Sequence, residues 1–380
     1  MKRVASTFVL AGFVLLGSHA FGAKDDTVFF REPGKKMDQK IIGKILEESP
    51  SGIKVKPLKG EDKKISPLDI TQIEYGAASE SSAGNVAATD FRSPDGKLVR
   101  ALAEPPGGAK RADGLRAALL GFQTLDAKES LQRLAPVHRY LQFRIAQTLY
   151  YQALADASRL DAAITALKDY KSKYADGWEI VPALQSLASL QEGKGDIDAA
   201  SQTYTDLAAL DGINPAMKLQ SQLKGARLMM LVNKFADAEK QLKDVANGLS
   251  ANDPQRTFVE AYLIQSRIAQ KGNLDGVDTK LQQILRSSKD ASLLALVHNS
   301  LGDLYRSKGN FDQAFWEYCK VDMLYNQDKE EHAKALFYLS KFSSSRRAKI
   351  AGEALTRLKT TQFDGTLFQR QAMAEKKSAE

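Results

Sequence analysis

A chain of 380 residues with 43% hydrophobic and 26% charged side chains, 11 Pro and one Cys has the composition of a globular protein in two or three parts, which excludes an intrinsically disordered polypeptide and a polytopic membrane protein. The formal net charge of +8 is thinly spread over that length, which describes a solvated surface with a weak pull toward anionic surfaces and not a nucleic-acid footprint. A single Cys319 cannot close an intramolecular disulfide, so packing must hold the fold together, and its place beside Tyr318 in an apolar run is that of a buried thiol.

In chain order, residues 1–23 open with Lys2 and Arg3, continue in an apolar run from Val4 to Leu16 and finish in small residues. This is the pattern of a secretory signal, cut after Ala20 or a few residues later, with an uncleaved N-terminal anchor as the alternative; the run is short for a membrane span. It places the mature protein in the periplasm or outside the cell and removes His19. Residues 24–75 change texture to short alternating or β-branched segments between turns, in which Ile42, Ile45, Ile53, Val55, Ile65, Ile70 and Ile73 are expected to line one small core and Ser66-Pro67-Leu68 to make a tight turn. The pattern is similar to that of Sm-like and related small barrels of about five strands, and it carries no binding motif. Its lysines, Lys35, Lys36, Lys40, Lys63 and Lys64, offer either a solubilising surface or a basic binding face. Residues 76–112 are rich in Gly, Ala, Ser and Pro and read as a linker. Helical spacing begins near Leu115, and residues 113–139, with Leu119, Leu120, Phe122 and Leu125 as an apolar stripe, are expected to cap a helical array at its N-terminal end.

From residue 140 to 365 the chain repeats itself. The signature GNFDQA at Gly309–Ala314 returns at Gly195, Asn233 and Gly272, and in weaker form at Ser158 and Arg346, which fixes a period of 37–39 residues. Asp196, Asn273 and Asn310 stand where a helix N-cap is needed, and one helical turn beyond each Ala-type position come Leu167, Tyr204, Leu242, Leu281, Tyr318 and Leu355. Around the best copy, Leu301, Gly302, Tyr305, Ala314 and Tyr318 resemble the pattern of a tetratricopeptide (TPR) repeat, a pair of antiparallel helices, with His298 in place of the family's Trp and Asn326 in place of its closing Pro. The resemblance implies a mainly α fold, an α-solenoid of about six helix-turn-helix units preceded by the small β-domain; the period exceeds the ~34 residues of the standard unit. Residues 366–380 read as a polar, fraying tail.

Chemistry-bearing constellations are not found: His138, His298 and His332 are far apart with no ligand spacing, and neither a phosphate-binding Gly loop nor a nucleophile motif occurs. The reading is therefore of a non-enzymatic protein with no cofactor and no metal. In TPR proteins the first helices of successive units line a concave face that holds peptides or protein segments, and aligning the units places Gln185, Ser189, Leu223, Arg227, Tyr262, Ser266, Asn299, Asp303 and Arg306 toward it. The resemblance implies a scaffold with a protein or peptide partner, and the export pattern sets it in the cell envelope, where nucleic acid is not the expected partner. The alternative is a binder of peptidoglycan or another polyanion through the β-domain, with the solenoid as spacer.

Overall fold

A computed structural model describes residues 25–32, 34–35, 37–76, 88–342, 344, 347–363 and 365–379; the expected signal segment 1–23, Lys36, Arg346 and residues 77–87 lie outside the described residues. Five antiparallel strands come first: β1 (Asp26–Phe30), β2 (Gln39–Ser49), β3 (Gly52–Pro57), β4 (Lys63–Ile65) and β5 (Ile70–Glu74), in the order β4-β3-β2-β1-β5. Period-two alternation turns Val28, Phe30, Ile53, Val55, Ile65 and Ile73 to one buried face. Asp69 closes the expected turn by donating its amide to the Ser66 carbonyl at 3.0 Å. Ile42 is a correction: it faces outward, because it is paired with Thr27 on the side opposite Val28. Among the described residues the ladder stays open between β4 and β5, and helices supply the cover for its buried face.

The stretch expected as a linker instead carries α1 (Ala88–Ala103) and the start of α2 (Ala109–Asp126). Phe91, Leu98 and Ala101 are buried on one side of α1, and Gly114 and Gly121 of α2 let the two helices approach so closely that an added Cβ would lie 2.7 Å from Ala101 and 2.9 Å from Pro94. Tertiary burial here overrides the local breaker signal of Pro94 and Gly96. Leu115, Phe122 and Leu125 are buried as expected, whereas Leu120 is exposed. A short α3 (Glu129–Gln132) leads into the array.

Six helix pairs make up the array: α4 (Ala135–Ala155) with α5 (Leu160–Lys173), α6 (Ile180–Lys194) with α7 (Ile197–Ala208), α8 (Pro215–Leu231) with α9 (Phe235–Gly248), α10 (Gln255–Ala269) with α11 (Val277–Ser287), α12 (Ala291–Ser307) with α13 (Phe311–Leu324), and α14 (Lys329–Leu339) with α15 (Ala348–Leu358). The recurring small residue is buried in every pair, as Ala163, Ala200, Ala238, Val277, Ala314 and Ala351. Gly302 lies so close to Tyr318 that a Cβ there would sit 2.6 Å from the ring. Asp196 accepts from the Ala199 amide at 3.3 Å, the cap its position called for. The polar tail is a second correction: it forms α16 (Leu367–Ala379), with Phe368 and Ala372 buried.

Sheet and array share one core. The Ile73 amide donates to the Tyr140 hydroxyl at 3.2 Å, and Tyr75 meets Tyr140 edge-on with ring centroids 5.8 Å apart. Beside them Arg139 of α4 is held between Glu48 of β2 and the buried Glu179, whose carboxylate accepts from Nε at 3.0 Å. Burial pushes the Glu179 carboxyl up to about 8 against the pull of Arg139, and the charge of Glu48 adds to the rise.

Candidate functional site

The first helices α6, α8, α10, α12 and α14 form the inner side of the array. Of the residues expected there, Ser189 is exposed and Gln185 half-buried on α6, and Leu223 of α8 packs beside Ala226, Leu242 and Val259. Ser266 and Asn299 are fully buried, so these two are hydrogen-bonding positions of the core and not contact residues. Ser266 donates to the Phe235 carbonyl at 3.4 Å, and Asn299 donates both to the Glu331 carbonyl at 2.9 Å and to its carboxylate at 2.7 Å.

The remaining inner residues are engaged from within the chain. Arg227 makes two parallel bonds to Asp328, at 3.0 and 2.8 Å, and lies 3.5 Å from Glu331. Asp303 accepts from the Tyr318 hydroxyl at 2.7 Å and pairs with Lys334 at 2.6 Å, while Arg306 stacks 4.4 Å over the Tyr338 ring. Tyr262 is half-buried between two apolar clusters, its hydroxyl pushed up to about 12 by burial. Asp328 also caps α14, accepting from the Glu330 and Glu331 amides at 3.0 Å. Burial disfavours its charge, but Arg227 and those amides prevail and hold its carboxyl below the ordinary range. Thus α14 lies against α8 and α12, leaving a small cavity of about 160 Å³ beside Arg227, Glu331 and Lys334.

Helix α16 completes the closure. Phe368 packs on Phe337 and Tyr338, with ring centroids at 5.6 and 6.1 Å, and Arg370 donates to the Glu192 carbonyl at 3.3 Å, at the end of α6. The chain therefore returns on itself across 178 positions.

The open part of the inner side is at its other end. A cleft of about 740 Å³ lies between β5 and its preceding turn, α1, α4 and α6. Leu68, Val99, Leu102, Tyr150 and Tyr151 give it apolar and aromatic walls, and Arg31, Asp38, Gln147 and Gln185 supply polar groups. At its base Arg144, buried, bonds to the buried Asp95 at 2.8 Å and to Gln147 at 2.7 Å, so the guanidinium is fixed in place. Of the expected set only Gln185 lines it. The others in this cleft escape sequence reading because four elements far apart in the chain contribute them; the adjacent Tyr150-Tyr151 pair was the available signal.

The histidines serve structure: His298 bonds to Glu317 at 2.6 Å and stacks on Tyr325, and His332 bonds to Asp322 at 2.7 Å, each tying two helices together. Cys319 is buried, its thiol pushed up to about 11 by burial and by Asp322. Among the described residues there is no cluster of metal-ligating side chains and no helix long and apolar enough to cross a membrane.

No protein-family model matches the chain, and no curated protein matches it. Among solved structures it is similar to a tetratricopeptide repeat protein from Parabacteroides merdae, at 15% identity and a TM-score of 0.51, over 75% of this chain and 99% of that one. The likeness is one of fold: the chain carries a TPR-like α-solenoid behind a five-stranded antiparallel sheet.

Proposed function

We propose that the protein is an exported, non-enzymatic scaffold of the cell envelope that holds an extended segment of a partner protein in the cleft between the sheet, α1, α4 and α6. The cleft carries this reading: its volume of about 740 Å³ accommodates several side chains, its walls combine aliphatic and tyrosyl surface, and at its base the Arg144–Asp95 pair holds Gln147 in place. Export rests on the basic start and apolar run of residues 1–23. Gln185 and, one turn further along α6, Ser189 are then the members of the inner-face set that meet the partner, while Arg227, Asn299 and Asp303 keep the array closed behind them.

The test compares proteins captured from envelope extracts by the wild type with those captured by Val99→Asp, Gln185→Arg and Arg306→Ala. Val99 is 56% exposed, so its replacement spares the core. One partner lost with the first two variants and retained by the third is the expected result; equal capture by all variants would remove the cleft as the binding site.

A further inference from the structure

The outer face of the sheet carries a second feature, independent of the cleft. Pairing sets Lys44 directly opposite Lys56 and Lys54 directly opposite Lys64, and Lys40 stands two residues before Ile42 on the same side of β2. Like charges across adjacent strands repel, and a sheet that only needed solubility would alternate the signs. Acidic relief is sparse: Lys54 pairs with Asp62 at 3.1 Å and faces Glu47 across β2, while Lys40, Lys44, Lys56 and Lys64 make no ion pair among the described residues. Apolar side chains stand among these lysines. Leu58 is 65% exposed and its amide bonds to the Ile42 carbonyl, so it lies next to Ile42, which is itself exposed; Leu46, the extra residue of the β2 bulge, is exposed too.

We propose that this face docks on the surface of an anionic phospholipid bilayer. The lysines meet the phosphates, and Ile42, Leu46 and Leu58 enter the boundary between headgroups and acyl chains, which offsets the repulsion within each lysine rung. A soluble polyanion satisfies the lysines alone and gives the exposed apolar residues no partner, which is why the bilayer is the better fit.

The full chain is to be sedimented with vesicles of phosphatidylcholine alone and of phosphatidylcholine mixed with phosphatidylglycerol, and separately applied to immobilised dextran sulfate. Selective binding to the anionic vesicles is expected. Lys44→Glu with Lys64→Glu should weaken it by about tenfold or more, without lowering the melting temperature, since each new carboxylate faces a remaining lysine. Should that variant unfold, Lys44→Gln with Lys64→Gln takes its place. Ile42→Ser with Leu58→Ser should weaken vesicle binding and leave retention on dextran sulfate unchanged. Vesicle binding that ignores the lysine changes, or ignores the serine changes while dextran sulfate is still retained, overturns the proposal, the second result assigning the face to a soluble polymer.

Discussion

At Gly302 and Gly352 the same residue has opposite meanings. A methyl at Gly302 would be driven to 2.6 Å from the Tyr318 ring, whereas Gly352, within α15, has open space where a Cβ would go. Gly302→Ala should therefore destabilise by about 1–3 kcal/mol through overpacking, and Gly352→Ala should stabilise by about 0.5–1 kcal/mol through helix propensity; thermal melts of the two variants should move in opposite directions. The contrast was half legible in the sequence. Leu-Gly and the later Ala and Tyr mark Gly302 as a contact, because the spacing of a repeat encodes how its two helices approach. The fate of Arg227 was not legible: alignment puts it on the inner side, but what meets it there, Asp328, is 101 positions away and belongs to no local period. Removing this cation leaves two carboxylates, Asp328 and Glu331, without it in a mostly enclosed site. Arg227→Met should cost roughly 2–4 kcal/mol, and a melt in which the variant matches the wild type would show that the pair contributes nothing.

Among the elements, the expected linker that forms α1 and the expected tail that forms α16 depart furthest from their sequence reading. The sheet's strands are encoded locally, by alternation in GIKVKP and ITQIE, but its dependence on α1 and α4 is not, since Tyr140 and Arg139 look like ordinary helix residues until Ile73 and Glu48 are placed against them. Likewise the Pro- and Gly-rich letters around α1 hide a helix whose one apolar face needs α2 and the sheet to exist. A fragment 113–370 consequently strips Tyr140 of Ile73, Tyr75 and Phe91 and Arg139 of Glu48, and should lose cooperative melting at the wild-type temperature, where a self-sufficient array would keep it. The junction also sets a pH dependence. Because the folded Glu179 carboxyl titrates near 8, far above its unfolded value of about 4.3, the folded state holds a proton that the unfolded state has lost between those values. Stability must fall as pH rises through that window. Glu179→Gln should flatten the change in melting temperature between pH 5 and pH 8 and make the variant the more stable of the two at pH 8; an unaltered slope would assign the proton elsewhere.

For the whole molecule, the return of α14 and α16 changes what kind of solenoid this is. An open array is held by nearest neighbours and unfolds in stages from its ends. Here Arg370 reaches the end of α6 and Arg227 reaches the cap of α14, so loss of the C-terminal helices removes support from the middle of the chain. Phe368→Ala should cost about 3–4 kcal/mol by cavity formation and, together with Arg370→Ala, should raise the radius of gyration measured by small-angle X-ray scattering. A single urea transition in the wild type that splits into two in that double variant is the expected signature, and two transitions in the wild type would mean that the closure does not couple the halves.

The latch is made late in the chain, by α16. A chain that emerges amino terminus first, from a ribosome or through a translocation pore, can assemble the sheet, α1 and the early helix pairs while the rest is still arriving, since the partners of the sheet lie no further along than α4 and the start of α6. It cannot bury Phe337 under Phe368, or bring Arg370 to Glu192, until α16 has been delivered. A product cut short just before residue 367 keeps α14 on α8 and α12 but leaves Phe337 and Tyr338 without the cover of Phe368. Helix α16 thereby reports that the array before it has arrived, separating chains that carry it from shorter fragments by how much greasy surface each presents to proteases and chaperones.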